Sequence, residues 1–430
     1  MDRTGAVSMN RSLGSLQVAA LLVSASYGIG FLFGSGELAL SHGMAGSIYG
    51  VATGFGMLVL AVFARKLCAV GLPVWALFGR AYGAQLEGMV ALLSLIWMSG
   101  VLAAQIQGGV AVLVLLGLGE VNGYITILLL IYGASRLNLR FASAVFAICL
   151  LASAAVLVYA LVVADGVDLY LQAIPVFSED LSTFRPSRVF AIALAIGLLV
   201  CTGADYQQFV LAARSPVAAV CGCVLAGLLL FVIAFLPSAV VVAMQKGGML
   251  GTLTDTKQVV PWVLGRVAGS AGQGADKLML ISLSVAALGA GAAVLRAMSE
   301  ALACAVSGHR SARHPMFAFI ALGVSAFLAS RDQGIVNTMV SVNVVYIASI
   351  GVCFATMVTG IVIPAQHARW IMAMGFTASV VVYLVGWMGQ HGEGTDLVSL
   401  VLGCLLSAAT ALWFRFVDGG WSGRFSGLHR

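Results

Sequence analysis

Three charged side chains stand inside long apolar runs of this chain: Glu37, Asp205 and Arg296. An ionisable group at such depth is costly and normally faces a wet cavity or a partner. Glu37 ends the stretch SASYGIGFLFGSGE, where Gly28, Gly30, Gly34 and Gly36 fall within nine residues. Glycine weakens a helix by about 1 kcal/mol relative to alanine, so this stretch favours a helix that unwinds part-way. The opposing reading is close helix packing, which the i, i+4 spacing of Gly30 and Gly34 suits. A second run joins Gly197 and Gly203 to Ala204-Asp205-Tyr206-Gln207-Gln208. Unwound backbone survives in a membrane only where protein buries it or where it lines a cavity. Both runs therefore mark a site for a small solute, with Gly30, Phe31 and Gly34 from the first and Gly203 and Asp205 from the second. Trp97, Gln105, Asn343 and Tyr346 are aromatic and amide groups at comparable depth elsewhere. Glu37 is expected either to carry a proton or bind a substrate amine, or to rest at the outer interface. Asp205 is expected to line the inner pathway or to pair with an arginine such as Arg214.

The elements that must position these groups are membrane helices. Hydrophobic residues make up 61% of the 430, charged residues 9%, and the mean hydropathy is +1.05. Soluble domains carry roughly a quarter charged residues, so lipid must solvate this chain. About twelve segments reach the roughly 20 apolar residues a crossing needs. They lie near 15–41, 44–63, 84–117, 120–135, 139–164, 187–205, 216–244, 275–306, 314–330, 333–364, 369–388 and 397–416. The connections at 165–186 and 245–275 are long enough for short surface helices, and Pro73, Trp75, Leu77 and Phe78 predict an interfacial helix. With the N-terminus inside, 14 Lys and Arg fall on the inner side and 7 on the outer. That bias is the positive-inside rule. It accounts for the net charge of +6 without nucleic acid, and it places both termini in the cytoplasm of a cell-membrane protein. Arg3, Arg11 and Ser24-Ala25-Ser26 are compatible with a cleaved signal, but the apolar run continues past them.

No P-loop, HExxH or zinc-spaced Cys/His cluster is present, so neither enzyme nor resident cofactor is expected. His42, His309, His314, His367, His391 and His429 fall in loops or at span ends. The eight cysteines sit almost wholly in apolar runs; Cys221 and Cys223 point to different helix faces and read as packing residues.

The two Gly-interrupted spans are the first and the sixth. Five apart, they cross in opposite directions, as do two five-helix units that begin with them. Matching interrupted spans in two inverted halves point to a transporter's central site. The expected architecture is all-α, a single transmembrane domain with repeats at about 15–164 and 187–364 and peripheral helices at 369–416.

Several segments together resemble the sodium/solute symporter family, a branch of the amino acid/polyamine/organocation superfamily. They are the Gly-rich opening span with HGMAGSIYGVATGFGMLVLAVFARKL, then LPVWALFGRAYG, LAAQIQGG, TGADYQQFVLAARSPVAAVCGCVLAG and LISLSVAALGAGAAVLRAMSEALACAV. The resemblance covers roughly 15–310 and rests on order and spacing. It implies a five-plus-five inverted repeat (LeuT-like), broken first and sixth core helices around a solute, and sodium held between the first and eighth. Where the family places a Ser/Thr pair for sodium, this chain has Ala292-Ala293-Val294-Leu295-Arg296-Ala297. Ser299 is the nearest hydroxyl. Arg296 is therefore expected either to replace sodium, bridging the first helix to the eighth, or to pair with Glu300 at i+4 near the span's inner end.

These readings converge on a secondary active transporter of a small organic solute, working by alternating access with sodium or proton as coupling ion. The rivals are a proton-coupled amino-acid permease-like transporter, a channel and a non-transporting sensor; no filter-like repeat or output domain favours the last two.

Overall fold

The computed structural model describes residues 11–417 apart from 73, 137–138, 252, 254, 308–314, 332, 362 and 389–393, and omits the side chains of 139–147, 150, 307 and 387. Pro73, His309, His314, His391 and His429 lie outside the described residues.

The described chain is helical. In order the helices are α1 Ser15–Ser26, α2 Ile29–His42, α3 Ile48–Val70, α4 Val74–Tyr82, α5 Ala84–Leu115, α6 Glu120–Ser135 and α7 Leu139–Val163. Then follow α8 Val167–Leu171, α9 Ala173–Asp180, α10 Pro186–Thr202, α11 Ala204–Leu211, α12 Pro216–Ala234 and α13 Leu236–Lys246. The last are α14 Val259–Gly269, α15 Ala275–Ser307, α16 Pro315–Ala329, α17 Ile335–Thr359, α18 Ala365–Met388 and α19 Thr395–Val417. Among the described residues seven helical stretches are long and apolar enough to cross a bilayer, eight if the bent pair α10–α11 counts as one.

One of these stretches, Ile29–Val70, is 42 residues long, about 63 Å if straight and twice the hydrocarbon thickness. It is not straight. The 3-10 turn Gly43–Ser47 folds it back, with Gly46 so close to α2 that a Cβ there would lie 2.5 Å from the Ala39 amide. Thus α2 and α3 are successive crossings, and α1 with α2 makes one broken crossing. The sequence expectation of about twelve spans corresponds to α1–α2, α3, α5, α6, α7, α10–α11, α12–α13 and α15 to α19. Pro237 lacks an N–H and clashes with the preceding turn, which separates α12 from α13 at Phe235. The short helix expected around Trp75, Leu77 and Phe78 is α4, with Leu77 and Phe78 buried in the protein, and the long connections hold α8, α9 and α14.

The helices form two packed groups. In one, α3 lies against α10 and α12, and α1 against α12. In the other, α5 packs on α6, α15 and α16. Helix α17 bridges them through α5 and α10, and α18 and α19 seat on α17. That seat is tight: a Cβ on Gly375 would lie 2.2 Å from the Ala348 carbonyl, and one on Gly403 2.6 Å from the Ala348 methyl. So α18 and α19 are fixed to α17.

We call the face holding Ser15 the N-face and the opposite one the far face. On the N-face Leu13 forms a parallel bridge with Ala213. The Leu13 amide donates to Ala212 O at 3.1 Å and the Arg214 amide to Leu13 O at 2.9 Å. On the far face the Met44 amide donates to Asp180 Oδ2 at 2.7 Å, and His42 stacks on Phe184.

Candidate functional site

The break between α1 and α2 is two residues long. Tyr27 leaves helical geometry at φ −82°, ψ 55°, and Gly28 is extended at φ −94°, ψ −179°. The other three glycines of the run are helical within α2 and serve packing. A Cβ on Gly30 would lie 3.4 Å from Ala104 and Met339, on Gly34 2.7 Å from Val336, and on Gly36 2.2 Å from Val260. The glycine run therefore both unwinds and packs, and the unwinding is confined to its start.

The second break is Gly203 alone, extended at φ −71°, ψ 127°, where α10 and α11 bend by 41°. A Cβ there would lie 2.6 Å from Asp205 Oδ1 and 2.9 Å from Leu199 O; glycine is required by that close approach. A helix end leaves carbonyls without intrahelical partners. Two at this break are met by side chains: Tyr346 Oη donates to Thr202 O at 3.1 Å, and Gln207 Nε2 to Cys201 O at 2.8 Å.

Around the breaks lies a set of polar atoms that are buried without a hydrogen-bond partner: Tyr27 Oη, Trp97 Nε1, Gln105 Oε1, Asp205 Oδ1, Gln207 Oε1 and Asn343 Oδ1. Leaving such a group unsatisfied costs about 1–3 kcal/mol, so this many in one region signals a function. The geometry links them. Gln105 Nε2 is 3.7 Å from where a Gly28 Cβ would be. The Trp97 and Tyr346 rings lie 6.2 Å apart, Tyr27 and Phe31 5.2 Å, and Phe31 and Tyr49 6.0 Å edge to face. Tyr49, Tyr206 and Tyr346 all lie within electrostatic reach of Asp205. The arrangement is an aromatic-walled site with carboxamide, indole, phenol and one carboxyl group turned into it.

The structure thus places Gly30, Phe31, Trp97, Gln105, Gly203, Asp205, Asn343 and Tyr346 on the elements that meet at the breaks. Tyr27, Tyr49, Tyr206 and Gln207 join them without having been singled out from the sequence. Tyr27 adjoins the glycine run and Gln207 the Gly203 break, a signal that was present; Tyr49, on α3, carried none. Gly34 is one turn removed, in the α2–α17 contact. Arg214 does not serve Asp205 as a counter-ion, since no basic side chain contributes to the Asp205 environment among the described residues.

The residues expected to couple an ion lie elsewhere. Arg296 does not reach the first break: its Nε and Nη2 donate to the Ser135 and Ala134 carbonyls, at 2.5 and 2.8 Å, capping the end of α6. A cation there complements the helix C-terminus, and the cation-surrogate expectation is replaced by this role. Ser299 Oγ donates to its own Leu295 carbonyl at 2.8 Å, and Glu300 is exposed. Ala292, Ala293 and Ala297 of α15 have no side-chain oxygen to offer a sodium ion.

Glu37 sits at the far face. Its Oε2 accepts from the Ile335 amide at 2.9 Å and its Oε1 from Thr256 Oγ1 at 3.2 Å. Beside it, Arg188 Nη2 donates to Asn337 Oδ1 at 3.1 Å. Helices α2 and α10 thus both hold the first turn of α17. Helix α2 packs chiefly on α13, and also on α5, α14 and α17, whereas α1 packs on α12 and α11. On the N-face the last turn of α17 is held in turn by α3, Lys66 Nζ donating to Val358 O at 3.0 Å. Gln208, near the N-face end of α11, is exposed, where an amide needs water.

This is the LeuT-like fold, and the chain is an integral membrane protein of that architecture. It superposes on the inward-facing conformation of Mhp1 with a TM-score of 0.61 at 14% identity, covering 97% of this chain and 94% of that one. Mhp1 as a nucleobase-cation-symport-1 family transporter, closed with bromovinylhydantoin bound, gives 0.57 at 15% identity over 95% and 94%. The substrate-bound outward-open state of a Na+-coupled sialic acid symporter gives 0.51 at 13% identity over 92% and 96%. No family model matches the sequence, and no curated protein sequence does.

Proposed function

We propose that the protein is a secondary active transporter that moves a small organic solute by alternating access, in the manner of the sodium/solute symporters but without their sodium site. The N-face is the cytoplasmic side of the cell membrane, and the bonds of Glu37 and Arg188 to the first turn of α17 support a far side that is closed. The observation that carries this reading is the cluster of unpartnered buried polar atoms at the meeting of two broken helices. Groups turned into a binding site in this way are completed by its ligand. Gln105 and Asn343 each offer a carboxamide, which both donates and accepts, beside the Trp97 and Tyr346 rings. The complement is a flat, compact solute with an amide-like edge, a class that includes the hydantoin bound by Mhp1.

Coupling runs through a proton at Asp205. The eighth core helix supplies no oxygen pair for sodium, while Asp205 places a carboxyl at the second break with a buried, unpartnered oxygen and no basic neighbour among the described residues. Water reaching the break from either side can exchange that proton.

The test is a thermal-shift screen of purified protein with cyclic amides, nucleobases, amino acids, carboxylates and sugars, each in sodium or in choline. Stabilisation by cyclic amides, equal in both salts, is expected. Uptake into proteoliposomes should then follow an imposed pH gradient and ignore a sodium gradient. D205N should abolish the pH-driven component while solute counterflow persists. Sodium-dependent stabilisation would overturn the coupling assignment, and absence of any saturable uptake would overturn the transporter reading.

A further inference from the structure

Away from the central site, the far face carries a cavity of about 600 Å³ where α14 meets the start of α15 and the end of α5. Its walls include Trp262 and Arg266 of α14, Gln273 of the following turn, Asp276 and Leu280 of α15, and Leu115 of α5. Positions 262, 266 and 269 form one stripe of α14, whereas Val259, Val260, Val263 and Val267 are buried. The Arg266 guanidinium lies 5.1 Å over the Trp262 ring. Among the described residues neither Arg266 nor Asp276 enters an ion pair or side-chain hydrogen bond, with each other or with any third group. Opposite charges that line one cavity yet stand apart fit a ligand carrying both charges.

The depth of this cavity narrows the ligand further. Asp276 is in the first turn of a membrane-crossing helix, and Leu278 and Ile281 just beyond it are exposed at 70% and 49%, as lipid-facing residues are. Tryptophan at such a boundary marks the headgroup level. We propose that this cavity binds the zwitterionic headgroup of a phospholipid bearing a primary amine, its phosphate on Arg266, its ammonium on Asp276, and its glycerol end over Leu115 and Leu280. Arginine matches phosphate oxygens with its planar fork, and a primary ammonium donates the hydrogen bonds a carboxylate accepts. The other face of α14 presents Val260 to Gly36 of α2. A lipid held here therefore supports the helix that closes the far side of the central site.

Native mass spectrometry of the delipidated full chain tests this with phosphatidylethanolamine, phosphatidylcholine and phosphatidylglycerol, and with free phosphoethanolamine as competitor. One phosphatidylethanolamine should be retained in preference to the other two, with R266Q and D276N each weakening it roughly three- to fivefold, the scale of an exposed charge pair. Both variants should stay close to the wild-type melting temperature in detergent, since neither side chain enters an ion pair or hydrogen bond among the described residues and the Arg266–Trp262 contact is at an exposed site, where it is worth about 0.5–1 kcal/mol. Retention of all three lipids alike, or unchanged retention in both variants, overturns the proposal. Occupancy by free phosphoethanolamine with no lipid preference keeps the zwitterion chemistry but overturns the lipid as its source.

Discussion

At the scale of single residues, the central site trades stability for binding. Gln105 is 4% exposed and its Oε1 has no partner. Replacing it by Leu removes that unsatisfied oxygen and keeps the volume. The melting temperature of the empty protein should rise or hold, and the solute-induced shift should vanish; a drop in binding of roughly tenfold or more corresponds to one lost buried hydrogen bond. A Gln105→Leu protein that binds solute as well as the parent would remove this residue from the site. Trp97, Gln105, Asn343 and Tyr346 were legible in sequence because polar and aromatic groups stand out in apolar runs. Tyr49 was not, because a lone tyrosine in a membrane helix carries no mark until folding brings it beside Phe31. Arg296 illustrates the converse. Its sequence position next to the family's sodium motif pointed to the first helix, whereas helix rotation turns it toward α6, and rotation about the axis is what one sequence fixes least.

At the scale of elements, glycines set the distances between helices. Gly375 lets α18 touch the Ala348 carbonyl of α17, where a methyl would meet backbone that cannot yield. Gly375→Ala should therefore lower stability by about 1–3 kcal/mol, the usual cost of overpacking, read as a fall in melting temperature. The far-face closure is an element-scale feature too. Glu37 accepts two bonds and Arg188 donates one, both fastening the first turn of α17. Glu37→Ala should loosen that closure, so that a cysteine placed at buried Val336 reacts several-fold faster with an impermeant thiol reagent added outside. Equal rates would show that packing alone holds the far side shut. Most span boundaries were readable to a few residues from hydropathy, but the ends expected at 63, 205 and 364 fall at Val70, Leu211 and Thr359, because hydropathy does not register where a helix continues past its apolar run or stops within it. The two breaks were readable in kind, but the division of labour among Gly28, Gly30, Gly34 and Gly36 was not, because unwinding and close packing call for the same residue.

At the scale of the whole molecule, two helix groups meet around the broken pair, and the alternating access we propose requires them to move relative to each other. Here the order of spans and their inverted orientation were deduced from position without any visible repeat of residues. The roles of α18 and α19 were not: as the last and least buried crossings they read as peripheral, yet they clasp the helix that bridges both groups.

The Leu13–Ala213 bridge bears on how that motion is shared. Two backbone hydrogen bonds tie the segment before α1 to the turn after α11, with Cys68 Sγ of α3 lying 3.8 Å from the same Ala213 carbonyl. The N-face halves of both broken helices are consequently hinged on one frame: a door on that face has a single leaf. A covalent link between positions 13 and 213 should leave turnover intact, because those positions never separate. A link that arrests transport would mean that the door opens by splitting along its own middle.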